Sequence, residues 1–406
     1  MFRPEDPSAE EIHMARRVAT VPLALLLFLA PHPEPASSQS DGDPVTLGTY
    51  RVLQSEILDE DRRLQVRLPR GYDASVLDYP VVYVFYSDWV ELYYAEAVST
   101  ITQLSADLMP QVILVGVPNT DRYRDLYPWP RPDGWGGEAE RFLRFVREEL
   151  FPFIDSQYRT KDYRVMVGPQ AAAVFGVYAV LEAPETFDAL IVNDPCRIDS
   201  EERSLCEALA RLAASPEAAG HFFAVSHVER DERWPSTRLE ALREELEESA
   251  VAEFRWRIST DPDWKLFLAP LHLRENLLAL FQGYAFQLDG DLEGLSDVLS
   301  HYEGLSRQWG FSVDPPDQVL SQVSDRLTEA ERFPAALEVL NHLVSVHPSS
   351  GNGYWRLANL YRVMGDTANA IRYYREVLER EPNMPPARMW LERLGAGQGW
   401  GDGLTP

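Results

Sequence analysis

Lysine is almost missing from this chain. Among 406 residues only Lys161 and Lys265 carry an ammonium group, and the rest of the positive charge is arginine. Basic charge is itself short, with 38 Lys and Arg against 64 Asp and Glu, a formal net charge of -26. A surface that acidic repels phosphate backbones and anionic lipid, which excludes nucleic acid and an anionic membrane surface as main partners. Cysteine is scarce too. Cys196 and Cys206 could pair across a short loop in an oxidising compartment, but no C-x-x-C or Cys/His spacing of a zinc site occurs. No metal and no cofactor is expected.

Long hydrophobic runs are also lacking. The apolar run over residues 18–30 is shorter than the roughly 20 residues a membrane helix needs. Arg16 and Arg17 precede it and Ala36-Ser37-Ser38 follows it, which is the layout of a cleaved signal peptide over residues 1–38. The acidic residues before Met14 are foreign to such a leader, so Met14 reads as the start. Cleavage would leave a net charge of -24 and no membrane span, in the periplasm or outside the cell.

What is present is an alternation of strand and helix signals. Residues 63–68 alternate polar and apolar, a half-buried strand. Continuous apolar runs follow at 81–86, 111–117, 164–167, 189–192 and 222–225, as strands covered on both faces require. Helical spacing occupies 138–153, 171–182 and 237–248 between them. The pattern predicts a doubly wound, mostly parallel sheet over residues 39–285.

No strand signal remains after about residue 275, and a repeat appears. Counted from Gly351 in a 34-residue unit, Tyr354, Leu357, Ala358, Tyr361, Gly365, Ala370, Tyr374 and Pro382 take the diagnostic tetratricopeptide positions. Leu320, Ser324, Leu327, Ala336, Leu340 and Pro348 hold the same register one period earlier. The expectation is an all-α tetratricopeptide array over residues 317–394, closed by a capping helix. Connecting helices fill 286–316, and a Gly-rich tail expected to be disordered fills 395–406. Such an array offers a groove to a peptide or protein partner.

The order of motifs resembles the putative esterases, a family that includes the enterochelin-type siderophore esterases and has the α/β-hydrolase fold. The carrying segments are Val66-Arg67-Leu68-Pro69-Arg70-Gly71-Tyr72, Tyr79-Pro80-Val81-Val82-Tyr83, Asn119-Thr120-Asp121-Arg122-Tyr123-Arg124-Asp125-Leu126-Tyr127-Pro128, Phe151-Pro152-Phe153-Ile154-Asp155 and Pro184-Glu185-Thr186-Phe187. The resemblance implies a serine nucleophile in G-x-S-x-G, a turn that exposes a side-chain oxygen at a helix head beside oxyanion donors. Here the turn reads Gly168-Pro169-Gln170-Ala171-Ala172, so Gln170 stands at the nucleophile position. The oxyanion positions fall on Ala171 and on Tyr86, which with Ser87 replaces the family's Asp-Gly. The acid candidates are Glu229 and Asp231. The histidine position falls on Ala269, with His272 three residues on as a substitute.

A carboxamide is no nucleophile at neutral pH, so the expectation is a degenerate esterase that binds a small-molecule ligand in its cleft without cleaving it. The alternative is an active carboxylic-ester hydrolase built on a relocated set, Ser226-His227 with Asp231 and His272. A metal site on His227 and Glu229 has too few ligands.

Overall fold

The computed structural model describes residues 48–85, 108–130, 133–193, 195, 204–228, 237–261, 269–288 and 292–395. The leader read over residues 1–38 and the tail after Gly395 lie outside them.

Eight strands form one sheet in the order β1-β2-β4-β3-β5-β6-β7-β8. They are β1 (Thr49–Ser55), β2 (Glu60–Arg67), β3 (Tyr79–Phe85), β4 (Ile113–Val117), β5 (Thr160–Pro169), β6 (Ala189–Asn193), β7 (Phe222–Val228) and β8 (Arg255–Asp261). β1 and β2 form a hairpin that joins β4 antiparallel, and every pairing from β4 to β8 is parallel. Every residue of β3 and β4 is buried, the consequence of cover on both faces. Two strands were not expected from the sequence, β1 and β8. Both are edge strands with charged or exposed residues, and neither carries a continuous apolar run.

The helices of this domain are α1 (Arg122–Leu126), α2 (Ala139–Phe145), α3 (Phe151–Gln157), α4 (Ala171–Glu182), α5 (Leu205–Ala213), α6 (Thr237–Ser249) and α7 (Ala269–Leu280). A π-helical turn over Val146–Leu150 runs α2 into α3. Phe85 is the hinge of the core: its ring meets Phe142 edge-on at 6.1 Å, Phe187 at 6.0 Å and Phe175 at 5.7 Å. These contacts clamp β3, α2 and α4 together, and α4 carries the elbow. Cys206, in α5, is disulfide-bonded. Cys196 lies outside the described residues.

The C-terminal region is helical: α8 (Leu295–Trp309), α9 (Asp317–Glu329), α10 (Phe333–Val346), α11 (Gly351–Val363), α12 (Thr367–Arg380) and α13 (Pro385–Arg393). It attaches to the ends where β3 and β5 begin. The Val76 and Ser349 amides donate to the carbonyls of Val346 and Ala74 at 3.2 and 3.4 Å. Lys161 Nζ lies 2.7 Å from Asp314 Oδ2, and the Tyr163 and Phe311 rings are 4.3 Å apart. A cavity of about 300 Å³ sits at this junction, lined by Arg70, Asp78, Tyr79, Lys161, Asp314 and His347 among others. Among the described residues no helix is long and apolar enough to cross a membrane.

Candidate functional site

β5 runs for ten residues from the junction and ends at Pro169, where the chain turns into α4. At about 3.3 Å per residue, the elbow lies roughly 30 Å from Lys161. Gln170 forms the turn. Its φ is 53° and its ψ -112°, a backbone conformation that side chains with a Cβ rarely adopt. The sharp turn follows from what surrounds it. The Gln170 N–H donates to the Asn193 carbonyl at 3.0 Å, and the Gln170 carbonyl accepts from Val174 N–H at 3.1 Å. The second bond opens α4 immediately after the strand.

The turn is also close-packed. A Cβ built on Gly168 would lie 2.6 Å from the Cβ of Ala172, so only glycine fits where the end of β5 passes the first turn of α4. Ala171, Ala172 and Ala173 are buried, and α4 has no side-chain cap. The first-turn amides have no intrahelical acceptor and carry the positive end of the helix dipole. A sharp strand-to-helix elbow is therefore present, with the half-buried carboxamide of Gln170 at its tip.

The residues named for the relocated set divide. Ser226 is 1% exposed; Asn276 Nδ2 donates to its hydroxyl at 3.3 Å, and Ser259 Oγ lies 3.2 Å away. It stands in β7 opposite Asn193 of β6, inside the sheet, and not in an open cleft. His272 is half-buried in the first turn of α7, and Ala269 is the first residue of that helix. Tyr86, Glu229 and Asp231 lie outside the described residues, as does the side chain of His227. The structure brings Gln170 and Ala171 together at the elbow and buries Ser226 in a polar cluster of its own.

The loop after β4 reaches the same end of the sheet as Gln170, and an ion-pair network that the sequence did not announce holds it. Arg62 and Asp125 are each 1% exposed and meet at 2.7 Å from Nη2 to Oδ2. Arg124 Nε donates to the other Asp125 oxygen at 2.7 Å, and Glu60 pairs with both arginines at 2.6 and 2.8 Å. Burial pushes the Glu60 carboxyl up, but the Arg124 hydrogen bond and the Arg62 charge outweigh it and hold the group below its usual value. The Arg62 guanidinium lies 5.4 Å from the centre of the Phe142 ring. Asp121 caps α1 by accepting from the Tyr123 and Arg124 amides and also takes the Trp135 Nε1–H at 3.2 Å. Trp135 is 59% exposed. The motif Asn119 to Pro128 thus works as a brace: β2 anchors Asp125, Asp125 and Asp121 fix α1, and Asp121 also holds the Trp135 indole.

Residues 55–237 match the family described as putative esterase. An IroE-like serine hydrolase from Shewanella oneidensis superposes with a TM-score of 0.62 at 25% identity, covering 73% of this chain and 99% of that one. An uncharacterised protein from Capnocytophaga ochracea has a TM-score of 0.55 at 17% identity, covering 86% and 99%. The BES protein from Bacillus cereus has a TM-score of 0.50 at 18% identity, covering 61% and 100%. No curated protein matches the chain. The first two coverages exceed the sheet domain alone, so those likenesses run on into the helices. The matched stretch spans most of the α/β domain, so it is in this region that the chain is similar to the putative esterase family.

Proposed function

We propose that this chain is an exported, non-hydrolytic relative of the siderophore esterases, a binding or scaffold protein. It holds a small-molecule ligand at the elbow end of its sheet and a partner on a tetratricopeptide array at the other. The observation that carries the first half is Gln170 in the elbow conformation. Its carboxamide can donate and accept hydrogen bonds, but it cannot form an acyl intermediate as an activated serine oxygen does. Removing the serine of a well-studied triad costs roughly 10⁶ in turnover. Together with the uncapped first turn of α4, the amide would cradle a carbonyl or carboxylate without attacking it. Export rests on the apolar run over residues 18–30 behind Arg16 and Arg17. The partner-binding half rests on the 34-residue register.

The alternative is an active carboxylic-ester hydrolase using a relocated set, favoured by the serine-hydrolase name of the Shewanella oneidensis protein. The burial of Ser226 behind Asn276 and Ser259 weighs against it. Incubation with a fluorophosphonate probe, alongside p-nitrophenyl acetate and butyrate, decides between them. No label and no turnover above a buffer control are expected. A covalent adduct on any serine, mapped by peptide mass spectrometry, would overturn the proposal.

A further inference from the structure

The chain's charge is unevenly placed. Residues 351–395 hold seven arginines against five carboxylates, a net +2, within a protein of net charge -26. In this stretch Arg356 and Arg380 are ion-paired, to Asp325 and Glu376. Among the described residues Arg362, Arg372, Arg375, Arg388 and Arg393 have no carboxylate within 4.0 Å.

Two of these converge on one ring. The Arg362 guanidinium, at the end of α11, lies 4.2 Å from the centre of the Trp390 indole. That of Arg393, at the end of α13, lies 5.2 Å from the same centre. Each arginine sits in the last turn of its helix, where the dipole favours a cation. The dipoles explain each placement singly. They do not explain why two like charges from different helices meet on one indole with no anion between them. An indole beneath a guanidinium leaves its edge to hydrogen-bond sideways; Arg362 Nη2 donates to the neutral Asn359 Oδ1 at 3.5 Å, which leaves its charge without a carboxylate.

The surroundings fit an extended ligand. Asn352, Arg356, Asn359 and Arg362 recur at spacings of four, three and three, one stripe of α11. The stripe is flanked on one side by α9, through Asn352 to Ser321 and Arg356 to Asp325, and on the other by α13, through Arg362 on Trp390. At its end Val363, Met364 and Met389 are 52%, 40% and 38% exposed, three of the large apolar side chains left open to solvent. α9 itself carries Asp317, Asp325 and Glu329 against Arg326, so the positive charge of this face lies on α11 and α13, where arginine without a carboxylate partner, indole and exposed methionine suit a segment bearing carboxylates interleaved with aliphatic side chains.

We infer that the face made by α9, α11 and α13 is a docking surface for an acidic, leucine-containing segment of another protein, with Arg362 and Arg393 around Trp390 as its anchor. The inference deepens the scaffold reading of the array and does not depend on what happens at Gln170.

The test is fluorescence anisotropy on the full chain with a labelled peptide of four Asp-Glu-Leu repeats, and with its Lys-Lys-Leu counterpart. Saturable binding of the acidic peptide is expected, weakening as salt rises, with none for the basic one. Arg362→Gln/Arg393→Gln should lose at least tenfold in affinity. Arg375→Gln removes one charge of the same sign from an exposed position on α12 and should lose less than twofold; thermal melts check that both variants fold. No saturable binding, or equal affinity in the double variant, overturns the inference. So does much tighter binding by a chain ending at Gly395, which would make residues 396–406 the natural occupant. A dimer in light scattering that the double variant abolishes would assign the face to a second copy and overturn it likewise.

Discussion

The Gln170 amide donates to the Asn193 carbonyl across 3.0 Å, a main-chain bond that ties the elbow to the neighbouring strand. That bond holds the turn in its conformation from outside. A non-glycine residue in such a conformation costs roughly 1–3 kcal/mol. Gln170→Gly should relieve that cost, offset by about 0.5–1 kcal/mol of extra chain entropy lost on folding. Gln170→Val should add to it. The expected order of melting temperatures is Gly above Gln above Val; calorimetry that places Gly lowest would show that the elbow is not strained.

On the non-hydrolytic reading proposed above, placing a hydroxyl at the elbow should not by itself produce hydrolysis. Gln170→Ser would stand at the head of α4 with the first-turn amides beside it, but the sequence resemblance aligns Ala269 with the family's histidine, and the proposal rests on that reading. A serine without a base remains a neutral alcohol. The expected result is turnover of p-nitrophenyl butyrate indistinguishable from the parent chain. Robust activity in the single variant would reveal a base, with His272 the first residue to replace next.

The brace beneath the loop after β4 makes a larger prediction. Asp125 serves Arg62 and Arg124 from a position 1% exposed. Its removal leaves the Arg62 guanidinium buried beside Phe142, with Glu60 as its remaining carboxylate and the Pro118 carbonyl at 3.3 Å as its other acceptor. Breaking a buried pair from one side costs about 3–5 kcal/mol. Asp125→Ala should lower the urea midpoint accordingly, whereas Arg144→Ala, whose pair with Glu148 is solvent-exposed, should change it little.

How much of this was legible in the sequence follows from how local each cause is. The central strands announce themselves because cover on two faces demands unbroken apolar runs, as in Tyr79–Phe85. Gln170 was legible for the same reason: strand, glycine and helix are contiguous. β8 was not. Arg255 and Arg257 look like surface charge until α7 is in place, where they bond the Leu280 carbonyl at 2.9 Å and the Glu275 carboxylate at 2.8 Å. Ser226 misled in the opposite direction. Beside His227 it looks like chemistry, yet its partners Ser259 and Asn276 come from 33 and 50 residues away. No local pattern records that.

At the junction of the sheet and the C-terminal helices, pH should matter. Burial pushes the His347 imidazole below its ordinary value, and the charges of Asp317 and Asp314 only partly oppose it. The folded chain thus prefers the neutral ring more than the unfolded chain does. The resulting stability is complete above the unfolded value of about 6.5 and is lost as pH falls through the folded one. Melting temperature should fall between pH 7.5 and pH 5, and His347→Gln should flatten that slope without abolishing it. Equal slopes in the two chains would mean that the ring charges freely where it stands.

This elbow tolerates alanine where the family pattern has its second glycine. In G-x-S-x-G that glycine falls at position 172, and here Ala172 fills it. Its Cβ takes the space that any side chain at 168 would need, 2.6 Å from a Cβ built there. Gly168→Ala should therefore cost about 1–3 kcal/mol by overpacking. Ala172→Gly should cost roughly 0.5–1 kcal/mol through helix entropy. Made together, they remove the Cβ-to-Cβ clash but leave the new methyl 3.2 Å from the Ala172 carbonyl carbon, so the rescue should be partial. The double variant should be more stable than the sum of the two losses by about 1 kcal/mol, a coupling within the range seen for residues in contact. Strict additivity in urea unfolding would mean that the strand end and the helix start move apart freely, and that the backbone at Gln170 is not held by this contact.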